Sequence, residues 1–527
     1  MNISTILNKA IRLFPAKEAV VEGEKCLTYA KLGQRVDRLA SGWVNLGIQC
    51  QDRISVIAPN GLAFMEIYFA AAKLGLIVNP INIRLTGSEI AYILNDAGSR
   101  ILAAHTDFAA SVKQALTEAP QVEQIIWLGP KTNIDIARPS VAYEGFLEDN
   151  EPVVTWPDLV KDNAPAHIYY TSGTTGRPKG VVLTHRNVTT HALAAVAEFH
   201  LTDGDTWFHV APMFHLADAW ATFALTWVGG RHVMLPYFDP AKTLRLIQEE
   251  HITLTNLIPT MLNLMVNHPQ ASQYDYSSLR VILSGGAPIA PETVRKIIST
   301  FGCDYIQTYG LTETSPYLTV STLKAHLKEL PVEKQLEFIS RTGREFITVE
   351  LRIVGDQGKD VPMDDRTVGE IWARGDTVTP GYWNLPEATA DSFENGWFKT
   401  GDLAVIDREG YINIVDRKKD VIISGGENIY STEVEYALYE HPAILECAVI
   451  GVPDDTWGEA VKAVVVSHPE KQASAEELIS FVKKKMASFK APKTVDFWDS
   501  LPKTGSGKIR KRSIKERYWS DQSKRVH

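Results

Sequence analysis

Short apolar runs alternate with longer amphipathic ones through the first part of the chain. Leu27-Thr28-Tyr29 leads into residues 30–46, whose apolar positions recur at helical spacing. Arg53-Ile54-Ser55-Val56-Ile57-Ala58 reads as a strand stopped by Pro59-Asn60-Gly61. Leu62 to Lys73 again has helical spacing and ends before Gly75, after which Ile77-Val78 predicts another strand. Ile101-Leu102-Ala103 and Gln124-Ile125-Ile126-Trp127 continue the rhythm, which predicts sheets with helices on their faces. Residues 128–165 are richer in Pro, Asp and Asn and predict connecting structure.

A second α/β region follows, with strands expected at Thr206–Val210, Arg231–Leu235 and Arg280–Leu283. From about 340 to 415 the texture turns β-rich, with runs at Ile347–Ile353 and Gly369–Ala373. Five consecutive charged residues, Asp416 to Asp420, then predict an exposed boundary. Beyond it the pattern gives a helix near 431–440, strands at 446–450 and 460–466, a helix near 475–486 and a final glycine loop.

Composition narrows the class. The 527 residues exceed one core of ordinary size, and 45% hydrophobic with 22% charged residues excludes a disordered chain, a coiled coil or a collagen-like fibre. A net charge of -9 disfavours broad binding to nucleic acid or anionic lipid, although residues 503–527 hold nine Lys or Arg against two acidic residues. The four cysteines are too scattered for a disulfide framework and lack zinc-site spacing. The N-terminus has no signal-peptide core, and the uncharged run from Ala219 to Gly230, 12 residues, is too short for a membrane span. A cytoplasmic location is expected.

Several loops carry candidate chemistry. In Tyr169–Gly180, Gly173, Gly176 and Gly180 free the backbone, Thr171, Ser172, Thr174 and Thr175 add hydroxyls, and Arg177 and Lys179 add positive charge. That set suits a polyphosphate, with a flexible surface turn as the alternative. It lacks the Gly-Lys-Ser/Thr ending of a P-loop. Tyr309-Gly310-Leu311-Thr312-Glu313 offers oxygen donors of the kind Mg²⁺ prefers beside phosphates. Ser284-Gly285-Gly286-Ala287 has no bulky side chain and suits either a flat heterocycle or a tight turn. Asp402 could accept from a ribose diol, and Lys508 lies on a glycine loop from which it could reach a substrate at a single step.

In this order and at these separations, the segments resemble the adenylate-forming superfamily of acyl-CoA synthetases, luciferases and peptide-synthetase adenylation domains. The resemblance extends from Leu27 to Arg510 and rests on the 171–180 loop with Thr312-Glu313, Gly401-Asp402, Gly425-Gly426-Glu427 and Gly507-Lys508. It implies an α/β fold with a large N-terminal domain, residues 1–416, of two α/β sheets plus a small β-barrel, and a small mobile α+β C-terminal domain, residues 417–527. It also implies ATP, Mg²⁺ and coenzyme A. Carried over by position, Thr171, Ser172, Gly173, Thr174, Thr175, Gly176 and Lys179 hold the β- and γ-phosphates, and Gly285, Gly286, Ala287 and Tyr309 surround adenine. Thr312 meets the α-phosphate, Glu313 binds Mg²⁺, and Asp402 and Arg417 hold the ribose hydroxyls. Lys508 bridges carboxylate and α-phosphate, Lys419 is the hinge, and Gly425 and Gly426 line the pantetheine path.

The chemistry needs such an inventory, because a carboxylate attacking an α-phosphate brings negative charge against negative charge. Lys503, near Lys508, is expected to be a solvated charge. Adenylation domains for amino acids place an aspartate where this chain has His215, so an α-amino acid is disfavoured, and the stretch after Lys508 leaves no room for a carrier domain. His215 joins Lys508, Thr312 and Glu313 in the expected catalytic set and, with Trp220, the expected acyl pocket. Met213, Phe214, Leu216, Ala219, Phe223 and Ala224 are further pocket candidates, with a buried helix face as the alternative. Asp218 and Ser431 depart from the superfamily pattern, and Asp218 weakens the case for a simple alkyl pocket. The expected reaction is ligation of a medium- or long-chain fatty acid to coenzyme A through an acyl adenylate. An aryl-acid ligase or an acyl-AMP ligase loading a carrier protein is the alternative; a luciferase-like oxygenase, or a lipid- or nucleic-acid-binding module, is more distant. No nucleic-acid partner and no transmembrane segment are expected, and a homodimer stays open.

Overall fold

A computed structural model describes residues 1–152, 160–171, 177–287, 289, 291–469, 471–503 and 509–519. The chain forms two compact units: Met1–Leu351 with Ala373–Phe398, and Arg352–Trp372 with Lys399–His527. The architecture is mixed α/β, with a large N-terminal part built on sheets and an α+β part at the C-terminus.

The larger unit holds a nine-stranded and an eight-stranded sheet. In the nine-stranded sheet, Asp304–Gly310, Val281–Gly285, Leu254–Asn256, Thr206–His209, Arg231–Met234 and Glu18–Glu22 run parallel, with antiparallel strands at both edges. In the other, Pro165–Thr171, Ile77–Pro80, Arg53–Ile57, Ser99–His105, Gln124–Leu128 and Ser140–Ala142 are parallel, and Lys179–Thr184 turns back antiparallel on Pro165–Thr171.

Strand periodicity explains how the layers separate. Ile54 and Val56 enter a core shared by both sheets, whereas Ile57 faces a second core with helices Gly87–Ala97 and Ala109–Leu116. Trp207 joins the shared core, and its neighbour Phe208 joins a third with helices Pro240–Glu249, Pro259–Val266 and Pro291–Phe301. Helices Tyr29–Asn45, Leu62–Leu74, His185–Glu198 and Leu216–Val228 fill the shared core. The parallel strands therefore deliver their C-terminal ends, and the loops that follow them, to one edge, the usual place for ligands in such sheets.

Two local expectations need correction. Residues 128–165 contain a strand, Ser140–Ala142, and a helix, Tyr143–Glu148, and the strand extends the eight-stranded sheet by pairing with Gln124–Leu128. In the Ile347–Ile353 run the strand begins only at Glu350, because Val349 N–H bonds back to the Phe346 carbonyl at 2.9 Å and makes Ile347 and Thr348 a turn, with Ile347 exposed.

In the smaller unit, Asp402–Ile406 pair antiparallel with Ile412–Arg417, in a register that sets Asp402 opposite Arg417. A further sheet runs Glu427–Ile429, Ile422–Ser424, Gly458–Ser467, Ile444–Asp454, with Thr494–Phe497 parallel to Gly458–Ser467. Its strands also alternate: Cys447 and Val449 pack with helices Ser431–Tyr439 and Ala475–Lys485, while Ala448 and Ile450 pack with Leu501 and Ile514 on the opposite face.

Candidate active site

The expected phosphate loop leaves strand Pro165–Thr171 and returns as Lys179–Thr184, and Thr171 and Lys179 form the last pair of the hairpin. Ser172, Gly173, Thr174, Thr175 and Gly176 lie outside the described residues. Lys179 Nζ stands 5.0 Å above the Tyr382 ring, and the Tyr382 hydroxyl donates to Glu313 Oε1 at 3.0 Å. The base of the phosphate loop and the expected metal carboxylate are thus joined through one tyrosine. Burial and the adjoining Glu313 carboxylate push the Tyr382 phenol well above its ordinary value, so it stays a donor.

Glu313 is buried in the 3₁₀ turn Thr312–Thr314 that follows strand Asp304–Gly310. The segment after Thr377 clamps this turn: Ser315 Oγ donates to Thr377 O at 2.6 Å and Thr379 N to Glu313 O at 2.7 Å, while Trp383 N donates to Gly180 O at 2.7 Å. One strand end away, Gly285 pairs with Thr308, and Gly286 and Ala287 are exposed just past it, next to Tyr309. A Cβ at Gly285 would lie 2.5 Å from Thr308 Oγ1, so no side chain fits there. The expected adenine residues therefore share the C-terminal edge of two adjacent parallel strands.

His215 immediately precedes helix Leu216–Val228 and follows Phe214, its ring 4.7 Å away. Trp220 lies one turn further on, with its ring 4.9 Å from Trp207, 5.4 Å from Tyr317 and 5.6 Å from His191. Phe223, in contrast, packs edge-on against Tyr68 and Phe69 of the Leu62–Leu74 helix, so this pocket candidate belongs to the core between helices.

In the smaller unit, Asp402 Oδ1 stands 3.2 Å from Arg417 Nε, with the carboxylate buried and the guanidinium half exposed. Lys419 is exposed in the turn that follows, where Asp420 N and Val421 N both bond to Arg417 O. Gly425 and Gly426 join strands Ile422–Ser424 and Glu427–Ile429 as a two-residue turn with φ of 61° and 85°, the geometry that tight hairpins reserve for glycine. Trp457 covers this turn, and a Cβ at Gly425 would lie 2.6 Å from its ring. Lys508 lies outside the described residues; Lys503 and Ile509, on either side of its loop, form a β-bridge. Lys503 is not a simple solvated charge, since it pairs with Glu446.

Comparison with known proteins decides the family: the AMP-binding enzyme profile matches residues 7–383, and the AMP-binding enzyme C-terminal domain profile matches residues 433–508. The chain belongs to the AMP-binding enzyme family. A feruloyl-CoA synthase of an Amycolatopsis species is 38% identical over 509 residues, 96% of this chain and 97% of the relative. A long-chain-fatty-acid–CoA ligase of Thermus thermophilus is 36% identical over 529 residues, 98% of this chain and 96% of its own length. Among solved structures, ATP-bound MatB from Rhodopseudomonas palustris superposes with a TM-score of 0.87 at 28% identity, covering 99% of each chain. As a member of this family, the chain is an adenylate-forming enzyme of the acyl-CoA synthetase class.

Within the AMP-binding frame, some residues that shape the site were not evident from sequence. Tyr382 is one. Asn60 is another: its amide donates to His209 O at 3.2 Å and to Ala211 O at 2.9 Å, and its Oδ1 accepts from Met213 N at 2.7 Å. Tyr68 meets the Tyr169 hydroxyl at 2.7 Å and donates to Met213 O at 3.3 Å, linking the strand that enters the phosphate loop to the segment that ends at His215. In the sequence Asn60 stands only in the Pro59-Asn60-Gly61 stop of the preceding strand, which says nothing of these partners. Glu313, a buried carboxylate whose Oε1 accepts from Tyr382, is the kind of oxygen donor that suits a hard cation, so a Mg²⁺ would be held by Glu313 together with nucleotide phosphates.

Proposed function

We propose that this enzyme joins a carboxylic acid to coenzyme A in two steps. An oxygen of the acid attacks the α-phosphorus of ATP, the bond to the β-phosphate oxygen breaks, and pyrophosphate leaves. The coenzyme A thiolate then attacks the acyl carbon, and AMP leaves with the oxygen it took from the acid. Thr171 to Gly176 and Lys179 hold the β- and γ-phosphates, Gly285, Gly286, Ala287 and Tyr309 the adenine, Asp402 and Arg417 the ribose, and Thr312 the α-phosphate. Lys508 neutralises the charge that gathers as carboxylate and phosphate approach. Glu313 would hold a Mg²⁺, which would supply further charge neutralisation on the phosphates. Residues 417–527 act as a mobile C-terminal domain turning about Lys419 between the steps, residues 1–416 as the fixed body, and Gly425 and Gly426 as the wall of the thiol's path.

The observation that carries this reading is the Lys179–Tyr382–Glu313 line, which gathers a cation, a fixed donor and an anion at the root of a glycine-rich loop. For the acid, we favour a bulky apolar body, in first place a medium- or long-chain fatty acid, in keeping with the Thermus relative. An aryl acid is the second reading, supported by the rings of Trp207, Trp220 and Tyr317 beside the expected acyl site and by the feruloyl-CoA relative. The four free cysteines agree with a reducing, cytoplasmic setting, and no helix among the described residues is long and apolar enough to cross a membrane. The test is pyrophosphate release with and without coenzyme A across C2 to C18 and aryl acids. Release that depends on the acid, with thioester formed only when coenzyme A is present, is expected; release indifferent to every acid would overturn the reading.

A further inference from the structure

Trp207, Asp218, His209, His232 and Thr226 form a hydrogen-bonded line through the larger unit, and all five are fully buried. Asp218 lies in the first turn of helix Leu216–Val228. Its Oδ1 accepts from Trp207 Nε1 at 3.1 Å, and its Oδ2 stands 2.5 Å from His209 Nδ1. His209 Nε2 meets His232 Nδ1 at 2.9 Å with the rings stacked, and His232 Nε2 meets Thr226 Oγ1 at 3.0 Å. Both Asp218 carboxylate oxygens and all four ring nitrogens of the two histidines therefore have hydrogen-bond partners inside the fold.

The position of this line gives it a use. His209 ends strand Thr206–His209, and residues 210–215 cross from that strand to the helix and finish at His215. The Asp218–His209 pair closes the crossing across its two ends, Asn60 holds its middle through Ala211 and Met213, and Trp207 touches both Asp218 and the Trp220 ring. Linked across its ends and held in its middle, the crossing has its path fixed by buried hydrogen bonds.

We propose that Asp218 and His209, braced by His232, staple the 210–215 crossing in place and act as positioning residues for the acid substrate, without touching it. This rests on the reading of His215 and Trp220 as acid-facing residues. Asp218→Asn keeps the shape and removes the charge. Its KM for the acid, measured by ATP–pyrophosphate exchange with the acid that serves wild type best, should rise about tenfold or more, while its KM for ATP stays within about twofold. His209→Gln should show the same split, and the double variant should lose no more than the worse single one, because both break the same link. Thr226→Val removes only the last link and serves if the Asp218 variant is insoluble; about a threefold rise in acid KM alone is expected. An unchanged acid KM, or equal rises for acid and ATP, would overturn the staple. Wild-type exchange that ignores added acid would instead overturn the functional reading and the staple with it.

Discussion

Asp402→Asn separates ligand binding from folding. In the fold, the Asp402 carboxylate is 6% exposed and the Arg417 guanidinium 48% exposed, with Oδ1 and Nε 3.2 Å apart. A pair with one half-solvated partner contributes less than about 1 kcal/mol, and the asparagine keeps the shape, so the hairpin should survive. Toward the nucleotide the loss is larger. Hydrogen bonds from a ribose diol to a charged acceptor are worth about 1.5–3 kcal/mol, which is about 10- to 150-fold in apparent affinity for ATP. The assay is ATP–pyrophosphate exchange with ATP and with 2′-deoxy-ATP. Wild type should favour ATP over the deoxy analogue by about that factor, and in Asp402→Asn the preference should shrink to a few-fold, because the group that reads the hydroxyl has changed. An undiminished preference in the variant would refute the ribose role.

Glu313→Gln keeps the acceptor for Tyr382 but removes the charge that draws a hard cation, so the Mg²⁺ concentration for half-maximal exchange should rise several-fold; an unchanged Mg²⁺ titration at limiting ATP would contradict the metal role. Lys508→Ala should lose about 10²- to 10³-fold in adenylate formation yet still convert supplied acyl adenylate to thioester, and equal losses in both assays would refute its role. Burial pushes His167 and His191 down to about 3 and His185 to about 4, whereas unfolded histidine titrates near 6.5. The stability from keeping them neutral is fully present above pH ~6.5 and is lost as the pH falls toward those values, by about 1.4 kcal/mol per histidine per pH unit, so the urea midpoint of the larger unit should drop between pH 7 and pH 5. A midpoint flat across that range would contradict it.

Strand periodicity was readable wherever both faces of a strand meet apolar partners, as with Ile54 and Val56 on one side and Ile57 on the other. It failed at Ser140–Ala142, a three-residue, largely exposed edge strand on the preceding strand Gln124–Leu128, and at Ile347–Val349, where β-prone residues form a turn. The candidate loops were readable because glycine, hydroxyl and charged residues cluster locally. What stayed hidden depends on partners brought together only by the fold. Tyr382 reaches Glu313 across 69 positions, and Asn60 reaches His209 across 149. Asp218 looked like an anomaly on an apolar helix until His209 and Trp207 supplied its partners from the adjoining strand.

In the proposed reaction the acid is activated at the α-phosphate of ATP. Acid labelled with ¹⁸O in its carboxylate, turned over by the full-length chain with ATP and coenzyme A and followed by mass spectrometry, tests it most directly. Adenylate chemistry predicts one labelled oxygen in each AMP and none in pyrophosphate; label in inorganic phosphate with ADP as the nucleotide product, or AMP without label, would contradict the account.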